Sequence, residues 1–315
     1  MKTQRPHFPM PLPNSLQDAL YDWLCRSYGL HGRWHTLRLN GAALGRLNPF
    51  WYEQIKSGLK EGIAETSDGL ALTAPNWAAL GARLQQLALN WRDSGLLHGW
   101  RGENFDVSDH GGRVLFELER AAFRPFGLSS RAVHLNGLSL HGGEWCFWIG
   151  RRSPHKAVDP DKLDNLAAGG ISAGETPRQT VIRESFEEAG IPAALLADAV
   201  QTACLHSLRP VARGLHDEIL YVFDAVLPES FTPENQDGEV AAFTPMTVPQ
   251  LAEAMLGNTM MPDAQLVTLD AFRRYGLLSP QHPLAQALAA PNRNPHPAAA
   301  SDTHGRPSES RPCSH

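Results

Sequence analysis

The sequence predicts a mixed α/β protein of two domains, a smaller α+β domain over residues 1–125 and an α/β domain over residues 126–280. Three observations lead there. The chain has 315 residues, more than one small core needs when a domain averages about 150 residues. Segments with helical and with strand periodicity both recur along it, and the pattern turns strand-rich after a Pro- and Gly-containing stretch near residue 125. One segment, 169–191, carries the signals for both ends of a helix. Composition sets limits: 42% hydrophobic and 19% charged residues describe an ordinary globular chain. A net charge of -5 and a pI near 6.3 argue against a general nucleic-acid or anionic-membrane binder. The four cysteines, Cys25, Cys146, Cys204 and Cys313, have no CxxC or metal-finger spacing. They imply no disulfide framework and fit a reducing cytoplasm. Prolines in MKTQRPHFPMPLPNS interrupt any signal-peptide run, and no later segment is long enough to span a bilayer. A cytoplasmic, unexported protein is expected.

Along the chain, Asn14 or Ser15 can cap a helix in which Leu16, Ala19, Leu20, Trp23 and Leu24 share a face, ended by Tyr28-Gly29-Leu30. Residues 33–39 read as a strand, Asn40-Gly41 as a turn and residues 49–60 as a helix. A further helix starts at Pro75-Asn76, with Trp77, Leu80, Leu84, Leu87, Ala88 and Trp91 on its core side. Residues 99–107 read as a polar loop and 114–118 as a strand. No catalytic group is recognisable in this N-terminal part. Beyond it, strands are expected at 133–140, 145–149, 220–226 and 240–243, and helices at 249–255 and 264–275. From about Pro280 the composition turns to Pro, Ala, Ser, Asn and His, so 281–315 is expected to be a disordered tail.

The chemistry concentrates in GGISAGETPRQTVIRESFEEAGI. Thr176 as N-cap, Pro177 at the first helical position and Gly190 past the end predict a helix over 177–189. Glu184, Glu187 and Glu188 stand at i, i+3 and i+4, on one face of it. Arg183 offsets only part of that charge. Hard carboxylate ligands at this density suit Mg²⁺ or Mn²⁺, whereas a solvated acidic face is the plainer reading of ExxEE alone. Arg151, Arg152 and Lys156 form the most compact basic cluster near this segment in sequence, a candidate for holding phosphate through an arginine fork. The histidines show no metal spacing.

Taken together, Gly169, Glu175, Arg183, Glu184, Glu187, Glu188, Gly190 and Ile191 reproduce Gly-x5-Glu-x7-Arg-Glu-U-x-Glu-Glu-x-Gly-U, where U is aliphatic. This resembles the Nudix box. One departure is Ser185 at the first aliphatic position, next to Phe186. HLNGLSL, WIGRRSPHK, DNLAAGGISAGETP, YVFDAVLP and DGEV, preceded by WRGENFDV and FELERAAFRPFG, resemble the thiamine pyrophosphokinase-related branch of Nudix hydrolases. That resemblance implies an α/β/α sandwich with a mixed sheet behind an N-terminal accessory domain. It implies hydrolysis of a small-molecule diphosphate, thiamine diphosphate or its oxidised forms, with Mg²⁺ or Mn²⁺ held by Glu184, Glu187 and Glu188. It also implies that Glu175 pairs with Arg183, and that the Gly169 carbonyl completes the metal shell. The general base would be Glu184 or a carboxylate from a later loop, for which Glu239 is the candidate and Asp237 the next. Nucleoside diphosphate derivatives such as ADP-ribose, or a non-catalytic sensor module, are the alternatives. A homodimer is left open.

Overall fold

A computed structural model describes residues 6–156 and 158–289. In chain order it contains α1 (Asn14–Ser27), β1 (His35–Leu39), β2 (Ala42–Leu47), α2 (Pro49–Gly58), β3 (Ile63–Thr66), β4 (Gly69–Leu72) and α3 (Trp77–Asp93). Then follow β5 (Asn104–Ser108), β6 (Val114–Glu119), α4 (Phe123–Phe126), β7 (Ser130–His141), β8 (Glu144–Arg152), β9 (Leu163–Asp164) and β10 (Ala167–Gly170). The rest is α5 (Pro177–Ala189), β11 (Val200–Val211), β12 (Gly214–Val226), β13 (Val240–Met246), α6 (Val248–Leu256), α7 (Pro262–Arg274) and α8 (Pro283–Ala289).

The fold is mixed α/β. The main sheet runs β11-β12-β7-β8-β13, with β10 on β7 and β9 on β8; β12 lies parallel to β7 and the other pairs are antiparallel. Side chains alternate across it, as a pleated strand requires. Val133, Leu135, Trp148, Tyr221 and Phe223 pack with Val181 and Ala189 of α5. Ala132, Phe147, Ile149, Leu220 and Val222 pack on the other face against α1, α6, α7 and α8. The result is three layers, with α5 on one side and α1, α6, α7 and α8 on the other. A four-stranded sheet, β2-β1-β4-β3, forms a separate core with α2 and α3. Among the described residues, no helix is long and apolar enough to cross a membrane.

Four expectations differ from what is found. Residues 104–108, read as loop, form β5 and pair with β6, because Phe105 and Val107 are buried while polar Asn104 and Asp106 mask the pattern. The helix α1 lies in sequence with the N-terminal part, yet Leu20 and Leu24 are buried in the core of α6, α7 and α8. It starts after Pro13, with no side chain capping it. Within the expected disordered tail, residues 283–289 form α8, which buries Leu284, Ala285 and Leu288. Residues 290–315 lie outside the described part.

Candidate active site

The helix α5 is built as its sequence indicates. Thr176 and Gln179 form a reciprocal capping box, Pro177 occupies the first turn, and Gly190 ends the helix at φ 64°. Behind it, Ser185 is fully buried with its hydroxyl unpartnered, while Phe186 is 56% exposed. The serine therefore takes the core-facing position and the bulky ring points to solvent.

Arg183 organises the front of the helix. Its Nε and Nη2 donate to the two oxygens of Glu175, both at 2.9 Å, and Nη1 donates to Glu184 at 2.8 Å and Glu187 at 3.0 Å. The bidentate fork holds Glu175 below the usual carboxylate range and ties the preceding loop to the helix. Gly169 on β10 lies so close to α5 that a Cβ there would stand 2.0 Å from the Glu184 carboxyl carbon. Any side chain there would displace the Glu184 carboxylate from this position.

Glu188 is buried; its Oε2 accepts from the Ala168 N–H at 2.8 Å and its Oε1 lies 3.7 Å from the Lys156 ammonium. Burial, reinforced by the Asp164 carboxylate and opposed by Lys156, pushes its pKa up to about 8. Burial likewise raises Glu184 to about 6 against the pull of Arg183. A buried and a half-buried glutamate that resist ionising are a donor set to which a divalent cation would bring the missing positive charge. The oxygens of the three box glutamates are not among the ligand groups that converge within 4.8 Å. Arg183 holds Glu184 and Glu187, while Glu188 turns to Ala168.

Glu184 and Glu187 open into a cavity of about 430 Å³ also lined by Gly169, Lys156, Asp237 and Glu239. Lys156 pairs with Glu239, which Arg101 also reaches at 3.3 Å. Asp237 accepts from the Glu239 N–H at 2.7 Å. The expected arginine pair is split. Successive residues of β8 point to opposite faces, so Arg151 lines a separate groove with Leu163 and Thr244. Arg152 does border the cavity, but its guanidinium is taken up by Asp164 at 2.7 Å and by the carbonyls of Val158 and Asp159. The expected phosphate fork is thus absent from Arg151 and already engaged in Arg152.

The N-terminal part supplies what the sequence reading lacked. Arg101, Glu103, Phe105 and Arg120 line the same cavity. The loop before α5 is fastened to β5: Ala173 N–H donates to the Asn104 carbonyl at 2.8 Å, Gly174 N–H to Asp106 at 3.2 Å, and the Ser172 hydroxyl to Glu103 at 2.7 Å. A Cβ on Gly170 would meet the Phe105 ring at 2.2 Å. The signal lay in WRGENFDV, but its spacing carries no chemistry of its own.

The model of the NUDIX domain family matches residues 133–267, the segment that holds most of the main sheet, α5 and the cavity residues Glu184, Glu187 and Glu239. This part of the chain is similar to NUDIX domains. Two Arabidopsis thaliana relatives are similar to it: Nudix hydrolase 24, chloroplastic, is 34% identical over 193 residues, 61% of this chain and 53% of the relative. Nudix hydrolase 20, chloroplastic, is 35% identical over 191 residues, 60% of this chain and 51% of the relative. The chain thus spans about half the length of these relatives. A solved protein of Deinococcus radiodurans is 24% identical and covers 53% of this chain and 98% of its own, with a TM-score of 0.40.

Proposed function

We propose that this NUDIX-like part of the chain is a metal-dependent hydrolase that cleaves the diphosphate bond of a small molecule. The observation that carries this is the grouping of Glu184, Glu187 and Glu188 on α5, with Glu188 buried and Glu184 half-buried, both raised in pKa, and Glu184 and Glu187 at the wall of a cavity that also presents basic side chains. Glu184, Glu187 and Glu188 would hold Mg²⁺ or Mn²⁺, which when bound neutralises phosphate oxygens and acidifies a water. Arg183 positions Glu184 and Glu187 and keeps Glu175 against the helix. Lys156 faces both Glu188 and Glu239, where it can counter the charge of an entering diphosphate. Glu239, one-third exposed in the loop before β13, is the candidate general base, with Glu184 the other.

The likeness of the flanking segments to the thiamine pyrophosphokinase-related branch makes thiamine diphosphate and its oxidised forms the first substrates to test. Nucleoside diphosphate derivatives are a second reading, favoured by basic side chains at the cavity end away from α5. Purified protein with Mg²⁺ or Mn²⁺ is assayed against thiamine diphosphate, oxothiamine diphosphate, ADP-ribose, dinucleotides and nucleoside triphosphates. Turnover that disappears with EDTA and falls at least about 100-fold in Glu187→Gln supports the hydrolase. No turnover of any diphosphate would favour a sensor. Turnover of ADP-ribose alone would remove the thiamine reading and leave the hydrolase.

A further inference from the structure

Seven lysine and arginine side chains line the cavity. Five have carboxylate partners: Arg101 and Lys156 with Glu239, Arg120 with Glu103, Arg152 with Asp164, and Arg183 with Glu175. The other two are Arg124 on α4 and Arg213 in the β11–β12 turn. Among the described residues, neither has a carboxylate oxygen within the 4.0 Å of an ion pair. Among the described residues, the Arg124 guanidinium hydrogen-bonds only His216 Nδ1, at 3.2 Å. No hydrogen bond of the Arg213 guanidinium is found among the described residues.

The two are brought together by construction. Gly214, at φ 130°, lets the turn pass so close to α4 that a Cβ there would stand 2.2 Å from the Arg124 carbonyl oxygen. Trp51 Nε1 donates to the Arg213 carbonyl at 2.9 Å and anchors the turn to α2. The acids at this end are already engaged. Asp263 accepts from Arg209 at 3.1 Å and from the Ser207 hydroxyl at 2.5 Å, and lies 3.1 Å from His216 Nε2. Glu218 accepts from the Ser130 hydroxyl at 2.7 Å and lies 3.7 Å from His216. His216, Glu218 and Asp263 do crowd within 4.8 Å, but the guanidiniums of Arg209 and Arg124 beside them disfavour a cation there. Burial pushes Arg124 down in pKa, opposed by the Glu218 and Asp263 carboxylates and reinforced by Arg213 and Arg209; burial and Arg120 push Arg213 down. Partly buried guanidiniums that make no direct ion pair are costly, and an anionic ligand in contact with them reduces that cost.

We propose that Arg124 and Arg213 form an anion subsite that recognises a phosphate monoester carried by the same molecule whose diphosphate lies against α5. The inference rests on the reading of the cavity as a diphosphate site and narrows its substrate class. Favoured substrates are diphosphates bearing a separate terminal phosphate, a group that thiamine diphosphate lacks.

The test is calorimetric binding to the full chain in EDTA, using pairs that differ by one phosphate monoester: coenzyme A and dephospho-coenzyme A, NADPH and NADH, and ADP-ribose with and without a 2′-phosphate. At least one phosphorylated member is expected to bind about tenfold more tightly than its partner, the 1.4 kcal/mol of one good charge-assisted contact. That preference should vanish in Arg213→Gln and in Arg124→Gln. Equal binding within every pair, no binding of any, or a preference that survives Arg213→Gln would overturn the subsite. Metal-dependent turnover of the unphosphorylated members is measured separately. Its failure would count against the hydrolase and leave the binding result standing.

Discussion

Glu188→Gln isolates the electrostatic cost that the site carries without metal. In the folded chain the Glu188 pKa is pushed up to about 8, against an ordinary value of 4.5, with burial the largest cause. A raised carboxylate pKa means that the folded state binds the proton more tightly than the unfolded one. The associated stability is complete below pH 4.5, falls as pH rises, and is gone above about 8. The gap corresponds to an upper limit of about 5 kcal/mol at 1.36 kcal/mol per unit, and the attraction of Lys156 and local relaxation bring the expected effect to about 2–3 kcal/mol. Glutamine keeps an oxygen for the Ala168 N–H but does not titrate. Urea unfolding in EDTA at pH 5, 6.5 and 8.5 should therefore show wild type losing about 2–3 kcal/mol more than Glu188→Gln across the range. About 5 mM Mg²⁺ at pH 8.5 should recover stability in wild type and less in the variant. Parallel pH profiles for the two proteins would refute a buried, proton-holding Glu188.

Three further changes probe the supports of the site. Gly169→Ala places a methyl 2.0 Å from the Glu184 carboxyl carbon; the Mg²⁺ concentration for half-maximal turnover should rise about tenfold, with far-ultraviolet circular dichroism unchanged. Arg183→Lys loses the fork to Glu175 and should lower stability by about 1 kcal/mol in urea titrations, a modest figure because Arg183 is one-third exposed. Ser185→Ala removes a buried hydroxyl with no partner and should raise stability by about 1 kcal/mol; a loss of that size would point to a hidden hydrogen bond.

Local signals were legible wherever they act over a few residues. The ends of α5 follow from Thr176, Pro177 and Gly190 because capping and backbone conformation are settled within one turn. The strands at 133–140 and 220–226 were readable from their apolar runs, whereas β11 was missed because most of it is only partly buried and mixes polar with apolar residues. The pairing of Glu175 with Arg183, expected from the family resemblance, is present in the structure. Of the arginine cluster, Arg152 and Lys156 line the cavity and Arg151 does not, because adjacent residues on a strand point to opposite faces.

By itself, then, the sequence determined the acidic helix, its caps and the carboxylate face, since 3.6-residue periodicity brings Glu184, Glu187 and Glu188 together without help from the rest of the chain. Only the tertiary structure decided what surrounds that face. The burial that raises Glu184 and Glu188 comes from the surrounding tertiary packing. The cavity wall joins Arg101 to Glu239 across 138 residues, and the turn at Gly214 brings Arg213 beside Arg124. Charge–charge energies depend on distance and on exclusion of water, and neither is set until distant segments have packed.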